Sequence, residues 1–127
     1  MDFQNILVPT DGSDNTRAAI EKAFELARIA GGRITALYVK DKGSSDGTAS
    51  SAVSKVSQLG EQYGVPVEER IESGSPAAVI AGMSSEFDVI VMGTLGRTGF
   101  KKVLVGSVAE TVVKNAVCPV IVVRKTE

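Results

Sequence analysis

The chain contains no histidine and no tryptophan, and its only cysteine is Cys118. Without histidine the commonest general base and the commonest metal ligand are gone, so any chemistry rests on carboxylates, hydroxyls, lysine or arginine. A single cysteine excludes a disulfide framework within the chain. The formal net charge is -1 with acids and bases interspersed, which leaves no electrostatic footprint for nucleic acid. No apolar stretch approaches the roughly 20 residues needed to span a bilayer. The opening Met1-Asp2-Phe3-Gln4-Asn5 lacks the basic region of a signal peptide, and the expectation is a soluble cytoplasmic protein.

What remains is an ordinary globular composition. At 127 residues and 43% hydrophobic, the chain is expected to form one domain over 1–127. A domain of that size buries about two-thirds of the surface its unfolded chain exposes.

Apolar runs and turn residues alternate along it. Ile6-Leu7-Val8 is short, β-branched and apolar on both faces, as a central strand must be, and it stops at Pro9. Thr10-Asp11-Gly12-Ser13 supplies turn chemistry, with Ser13 or Asp14 placed to cap the next helix. From Thr16 to Ala30, Ala19, Ala23, Leu26 and Ala27 recur at helical spacing, and Gly31-Gly32 ends the pattern. Ile34 to Val39 reads as a second strand. Lys40 to Thr48 is polar and Gly/Ser-rich and reads as a mobile connection. A helix then resumes with Ala52, Val53, Val56, Leu59 and Tyr63 on one face. The alternation from Val65 to Glu72 carries many charges and fits a sheet edge. Ser75-Pro76 signals a helix start, with the serine hydroxyl as cap, and that helix runs to about Glu86. Val89 to Met92 is another buried run. A helix from Ser107 to about Asn115 and a last strand, Val120 to Val123, complete the chain.

Strands separated by helices pair in parallel through right-handed crossovers. The expected fold is therefore α/β: one open, doubly wound, five-stranded parallel sheet with helices on both faces. Ligands of such sheets sit beyond the strand C-termini, where the winding direction reverses. The two unusual turns fall there. One is Pro9-Thr10-Asp11; the other is the glycine loop between Gly93 and Gly106. A strand followed by glycines and then a helix N-terminus presents bare amides and a dipole to an anion. Arg97 and Lys101-Lys102 add cations to that loop, and Gly106 leaves the helix start unencumbered. A carboxylate at Asp11 suits a ribose hydroxyl or a phosphate-held metal.

Neither a Gly-x-Gly-x-x-Gly run after the first strand nor a Gly-Lys-Ser/Thr sequence occurs, which excludes the familiar dinucleotide fingerprint and the P-loop. The spacing Gly93-x2-Gly96-x9-Gly106-Ser107 instead resembles the nucleotide-binding signature of the universal stress proteins. The likeness extends from Ile6-Leu7-Val8-Pro9-Thr10-Asp11-Gly12-Ser13 to Cys118-Pro119-Val120-Ile121-Val122-Val123. It implies a five-stranded Rossmann-like domain, usually a homodimer, that binds ATP, with Mg2+ or Mn2+ accompanying the phosphates and AMP or ADP as other ligands.

By the same resemblance Asp11 contacts the nucleoside, while Pro9 and Thr10 shape its pocket. Val39 meets adenine through its backbone and Met92 packs beside the base. Gly93, Gly96 and Arg97 line the ribose and phosphates, and Gly106, Ser107 and Val108 bind phosphate oxygens. Leu95 stands where relatives often carry a polar residue, so one polar contact drops out. The short Lys40–Thr48 segment implies a site without a covering lid.

Several of these residues have a second reading. Asp11 either meets the nucleoside or braces its own turn. Ser107 and Glu110 spell a capping box, so the serine hydroxyl either caps the helix or meets phosphate. Lys101 and Lys102 suit a solvated loop, while Met83, Met92 and Cys118 suit the core. Functionally the leading expectation is an ATP-dependent sensor acting as a homodimer through Val120 to Val123. Slow ATP hydrolysis at the same site, or an interaction module with no nucleotide, are the alternatives.

Overall fold

A computed structural model describes residues 3–94 and 106–124. Its strands are β1 (Asn5–Pro9), β2 (Arg33–Lys40), β3 (Val67–Ser73), β4 (Val89–Gly93) and β5 (Val120–Val123). Between them lie α1 (Arg17–Ala30), α2 (Asp46–Tyr63), α3 (Pro76–Met83) and α4 (Ser107–Asn115). All pairings are parallel and the order is β3-β2-β1-β4-β5, so winding reverses between β1 and β4.

Burial explains the order. Ile6, Leu7 and Val8 are fully buried, as are Ile34, Ala36, Leu37 and Val89 to Val91, which puts β1, β2 and β4 in the middle. The charged β3 and the short β5 take the edges, as their sequences predict. The strands' alternation sends their side chains into two cores. Ile6, Val8 and Val91 meet α1 and α2 on one face, whereas Leu7, Ile90 and Met92 meet α3 and α4 on the other. Among the described residues no helix is long and apolar enough to cross a membrane.

Three local expectations need correction. First, α2 begins at Asp46, well before Ala52. Ser45 caps it by accepting the Thr48 N–H at 3.0 Å, and Lys40 pairs with Asp46 in its first turn. The preceding connection is itself stitched together: Asp41 Oδ1 accepts the Gly43 N–H at 3.1 Å and the Ser44 hydroxyl at 3.0 Å. Second, Ser75 occupies the N-cap of α3 but makes no side-chain cap bond. That helix gives way after Met83 to a 3-10 turn over Ser84–Glu86. Third, the N-cap of α4 is Gly106, which puts Ser107 inside the helix and dissolves the expected Ser107–Glu110 capping box.

Cys118 packs, partly buried, against the α3/α4 core. Desolvation pushes its thiol above the usual range, reinforced by the nearby Asp88 carboxylate. The thiolate is the reactive form. Alkylation by iodoacetamide at pH 8 is accordingly expected to run several-fold slower than for a free cysteine; a faster rate would contradict this placement.

Candidate functional site

Pro9 opens the crevice. The Thr10 N–H is given to the Leu37 carbonyl, so even-numbered β1 residues bond to β2 and odd-numbered ones face β4. After Leu7 the next odd residue is Pro9, which has no N–H to continue the β4 ladder. Pairing with β4 accordingly ends at Leu7–Ile90, although β1–β2 pairing runs on to Pro9–Leu37 and β4–β5 pairing to Gly93–Val123. The two central strands part at their C-terminal ends, at the point where winding reverses.

One wall is the turn after β1. Gly12 adopts φ +81, and a side chain there would press to 3.2 Å from the Ala52 Cβ. Its N–H goes to Thr10 Oγ1 at 3.1 Å rather than to β2. Thr10 and Thr16 are both buried, with hydroxyl oxygens 3.1 Å apart, and the Thr16 hydroxyl donates to the Ser13 carbonyl at 3.0 Å. Each hydroxyl has one proton, so Thr10 must donate to Thr16. Thr10 thus holds the turn rather than offering a donor to a ligand. Asp11 Oδ1 accepts both the N–H and the hydroxyl of Ser13, at 2.9 and 2.6 Å. The bracing reading of Asp11 is correct for this oxygen, and Oδ2 accepts no hydrogen bond among the described residues.

Val39 lies at the adjoining strand end. Ile34 N–H and Lys40 C=O bond toward the β3 side, whereas Arg33 N–H and Leu37 C=O bond toward β1. By that alternation the N–H and C=O of Val39 point to the β1 side, one step past the last β1–β2 bond. A backbone donor and acceptor are displayed where the neighbouring strand has turned away.

The far wall is the junction of β4 and α4. A Cβ on Gly93 would stand 3.1 Å from the Asn15 carbonyl, so the bare residue lets the 3-10 turn of Asp14–Thr16 close on the strand. Thr94 N–H bonds to Val123 C=O at 3.2 Å, and Thr94 C=O accepts the Gly106 N–H. That last bond spends the Gly106 amide and fastens the helix start to the strand end. The first bond inside α4 runs from Glu110 N–H to Gly106 C=O at 2.9 Å, leaving the amides of Ser107, Val108 and Ala109 ahead of it. No side chain caps them among the described residues. Val108 leans on the α3/α4 core and Ser107 is exposed. Met92 is buried in that same core, beside Ile90 and Ala109, which fits the packing reading.

The structure thus gathers Pro9, Thr10, Asp11, Val39, Gly93, Gly106, Ser107 and Val108 at one rim of the sheet. Leu95, Gly96, Arg97, Gly99, Lys101 and Lys102 lie outside the described residues. Sequence reasoning missed Thr16 and Ser13 as the braces of the Asp11 turn, and the buried Ala109 as the third amide ahead of the first helical bond of α4. Placing the N-cap at Gly106 would have found Ala109. Among the described residues no group of three or more His, Cys, Asp or Glu is placed to hold a metal ion.

An open cavity of about 500 Å³ lies at the opposite rim, lined by Gln4, Asn5, Arg28, Arg33 and Pro66 among others. In its lining Gln4 Nε2 donates to the Ala30 carbonyl at 2.8 Å and Arg33 Nε to Asn5 Oδ1 at 2.8 Å. It sits at the strand N-termini, away from the backbone groups assembled at the β1–β4 opening.

A family model described as the universal stress protein family matches residues 2–124. A universal stress protein of Methanocaldococcus jannaschii is 36% identical over 97% of this chain and 83% of its own length. Among solved structures, UspA of Lactobacillus plantarum superposes with a TM-score of 0.85 at 30% identity, covering 98% of this chain and 99% of that one. The Archaeoglobus fulgidus universal stress protein in complex with dAMP superposes with a TM-score of 0.77 at 26% identity, covering 96% of this chain and 98% of that one.

Proposed function

The chain belongs to the universal stress protein family, and from that premise we propose that it binds an adenine nucleotide at the β1–β4 opening and acts as a cytoplasmic, nucleotide-dependent switch. The observation that carries this is the junction of uncapped amides at Ser107, Val108 and Ala109 with a crevice that Pro9 holds open. The dAMP bound by the Archaeoglobus fulgidus relative supports an adenine ligand. ATP is the ligand favoured here, with Mg2+ or Mn2+ on its phosphates and ADP or AMP as other ligands.

Magnitudes divide the work. A helix N-terminus contributes on the order of 0.3–1 kcal/mol to an anion when exposed and up to ~2 when partly buried. Micromolar affinity requires about 8 kcal/mol. The nucleoside pocket around Val39, Pro9 and Asp11 must supply most of the remainder by apolar burial and hydrogen bonding. Calorimetry with ATP, ADP and AMP tests the reading: ATP is expected to bind in the micromolar range, and no heat with any of the three would leave an interaction module.

Hydrolysis is at most slow on this reading. A catalytic ATPase orients water and neutralises developing charge. The chain has no histidine, and Asp11 has one oxygen bound to Ser13. Turnover followed over hours with Mg2+ should be marginal in the wild type; fast turnover abolished by Asp11→Asn would make the protein an enzyme.

The switch is proposed to work as a homodimer through β5. This edge strand is apolar throughout, Ile121 on it is 41% exposed and Val117 just before it 76% exposed. Such edges are normally paired or covered. Two copies meeting antiparallel along Val120 to Val123 would cover both. Light scattering at micromolar concentration should report a dimer, and Ile121→Lys should shift it toward monomer; a wild-type monomer would contradict the pairing.

A further inference from the structure

We propose that Ser13 is the positioning residue that assigns which oxygen of Asp11 meets the nucleoside; this rests on the nucleotide-binding reading above. An aspartate side chain turns about two bonds, so a lone carboxylate at a turn samples several orientations. Here two donors converge on one oxygen, the Ser13 N–H at 2.9 Å and the Ser13 hydroxyl at 2.6 Å. The hydroxyl proton is committed, because Ser13 Oγ acts as acceptor in its other bond, from the Asn15 N–H at 3.2 Å. Charge-assisted bonds of this kind are stronger than neutral ones. With Oδ1 tied back into the turn, Oδ2 becomes the oxygen presented to a ribose or base donor.

Apart from its bond to Asp11, the hydroxyl has one structural contact among the described residues, the N-cap bond it accepts from the Asn15 N–H, so its removal is expected to lower the melting temperature. Without the hydroxyl, the Ser13 N–H still reaches Asp11, and the Ser13 carbonyl still accepts the Thr16 N–H at 3.2 Å and the Thr16 hydroxyl at 3.0 Å. The Gly12–Thr10 bond is untouched as well. Ser13→Ala should therefore fold while freeing the carboxylate to rotate.

A double-mutant cycle on ATP affinity by calorimetry, with melting temperatures recorded alongside, tests the assignment. Ser13→Ala is expected to raise the ATP Kd three- to tenfold in the wild-type background and less than twofold in the Asp11→Ala background. Ser13→Thr, which keeps the hydroxyl, should restore affinity. Equal loss of affinity in both backgrounds, or a lowered melting temperature with unchanged Kd, would overturn the proposal. Unaltered ATP binding by Asp11→Ala would instead remove the nucleoside from Asp11, and with it any role for Ser13. Absence of ATP binding by the wild type would defeat the nucleotide reading itself.

Discussion

Gly60→Ala is expected to destabilise the protein by about 1–3 kcal/mol, although alanine is the better helix former by about 1 kcal/mol. Gly60 lies inside α2, where its backbone touches β3. A Cβ there would stand 2.5 Å from Val67 Cγ2 and 2.8 Å from the Val65 carbonyl. The first neighbour is a stiff β-branched side chain, and the second is backbone held close by the Val65 N–H bond to the Gly60 carbonyl at 3.0 Å. Neither moves without parting α2 from the sheet, so overpacking outweighs propensity. For a domain of this size the melting temperature should fall by roughly 3–10 °C. Gly82 in α3 is the control, since a Cβ there meets nothing within 4 Å. Gly82→Ala should stabilise by about 0.5–1 kcal/mol. Equal gains at both positions in urea melts would show that the α2–β3 contact is looser than described.

Gly106→Val should lower ATP affinity at least tenfold, which is about 1.4 kcal/mol. Gly106 is the N-cap of α4 with φ -66 and ψ 159, a conformation any residue adopts. The variant should fold, and the poorer N-cap residue by itself should cost about 1 kcal/mol of stability. Its branched side chain would stand at the helix start, in the path of phosphate oxygens approaching the Ser107 and Val108 amides. A large loss of affinity beside a small loss of stability is the signature of an obstructed anion site. Affinity preserved by Gly106→Val would move the phosphates elsewhere.

The fold is largely legible in the sequence because burial and periodicity agree. Ile6-Leu7-Val8 and Val89 to Met92 announce central strands, and the charges of Glu68, Glu69, Arg70 and Glu72 announce an edge. The start of α2 is not legible. Asp46 to Ser51 offers no apolar stripe, and the buried positions Ala49 and Gly60 are too small to mark a face. Capping by Ser45 and the Lys40–Asp46 pair settle that helix, and both depend on where β2 ends. Residue type overstates capping at Ser75 and Ser107, because a hydroxyl near a helix start need not occupy or use the cap.

Of the site, the rim itself is legible. The turn after β1 and the two ends of the glycine loop, Gly93 and Gly106, are recognisable by residue type, and the sheet places those described positions on one rim. What composition does not convey is the parity of hydrogen bonding. Pro9 opens the crevice only because its missing N–H falls on the β4 side, and Val39 displays its backbone only because the β1 ladder stops one step earlier. Both come from register, which appears once the strands are paired.

A crystal grown with ATP and Mg2+ addresses the central claim most directly. Phosphate oxygens are expected within about 2.7–3.2 Å of the Ser107, Val108 or Ala109 amides, with adenine against the backbone of Val39. Solvent alone in that opening, or nucleotide seated instead beside Arg28 and Arg33 at the opposite rim, would contradict it.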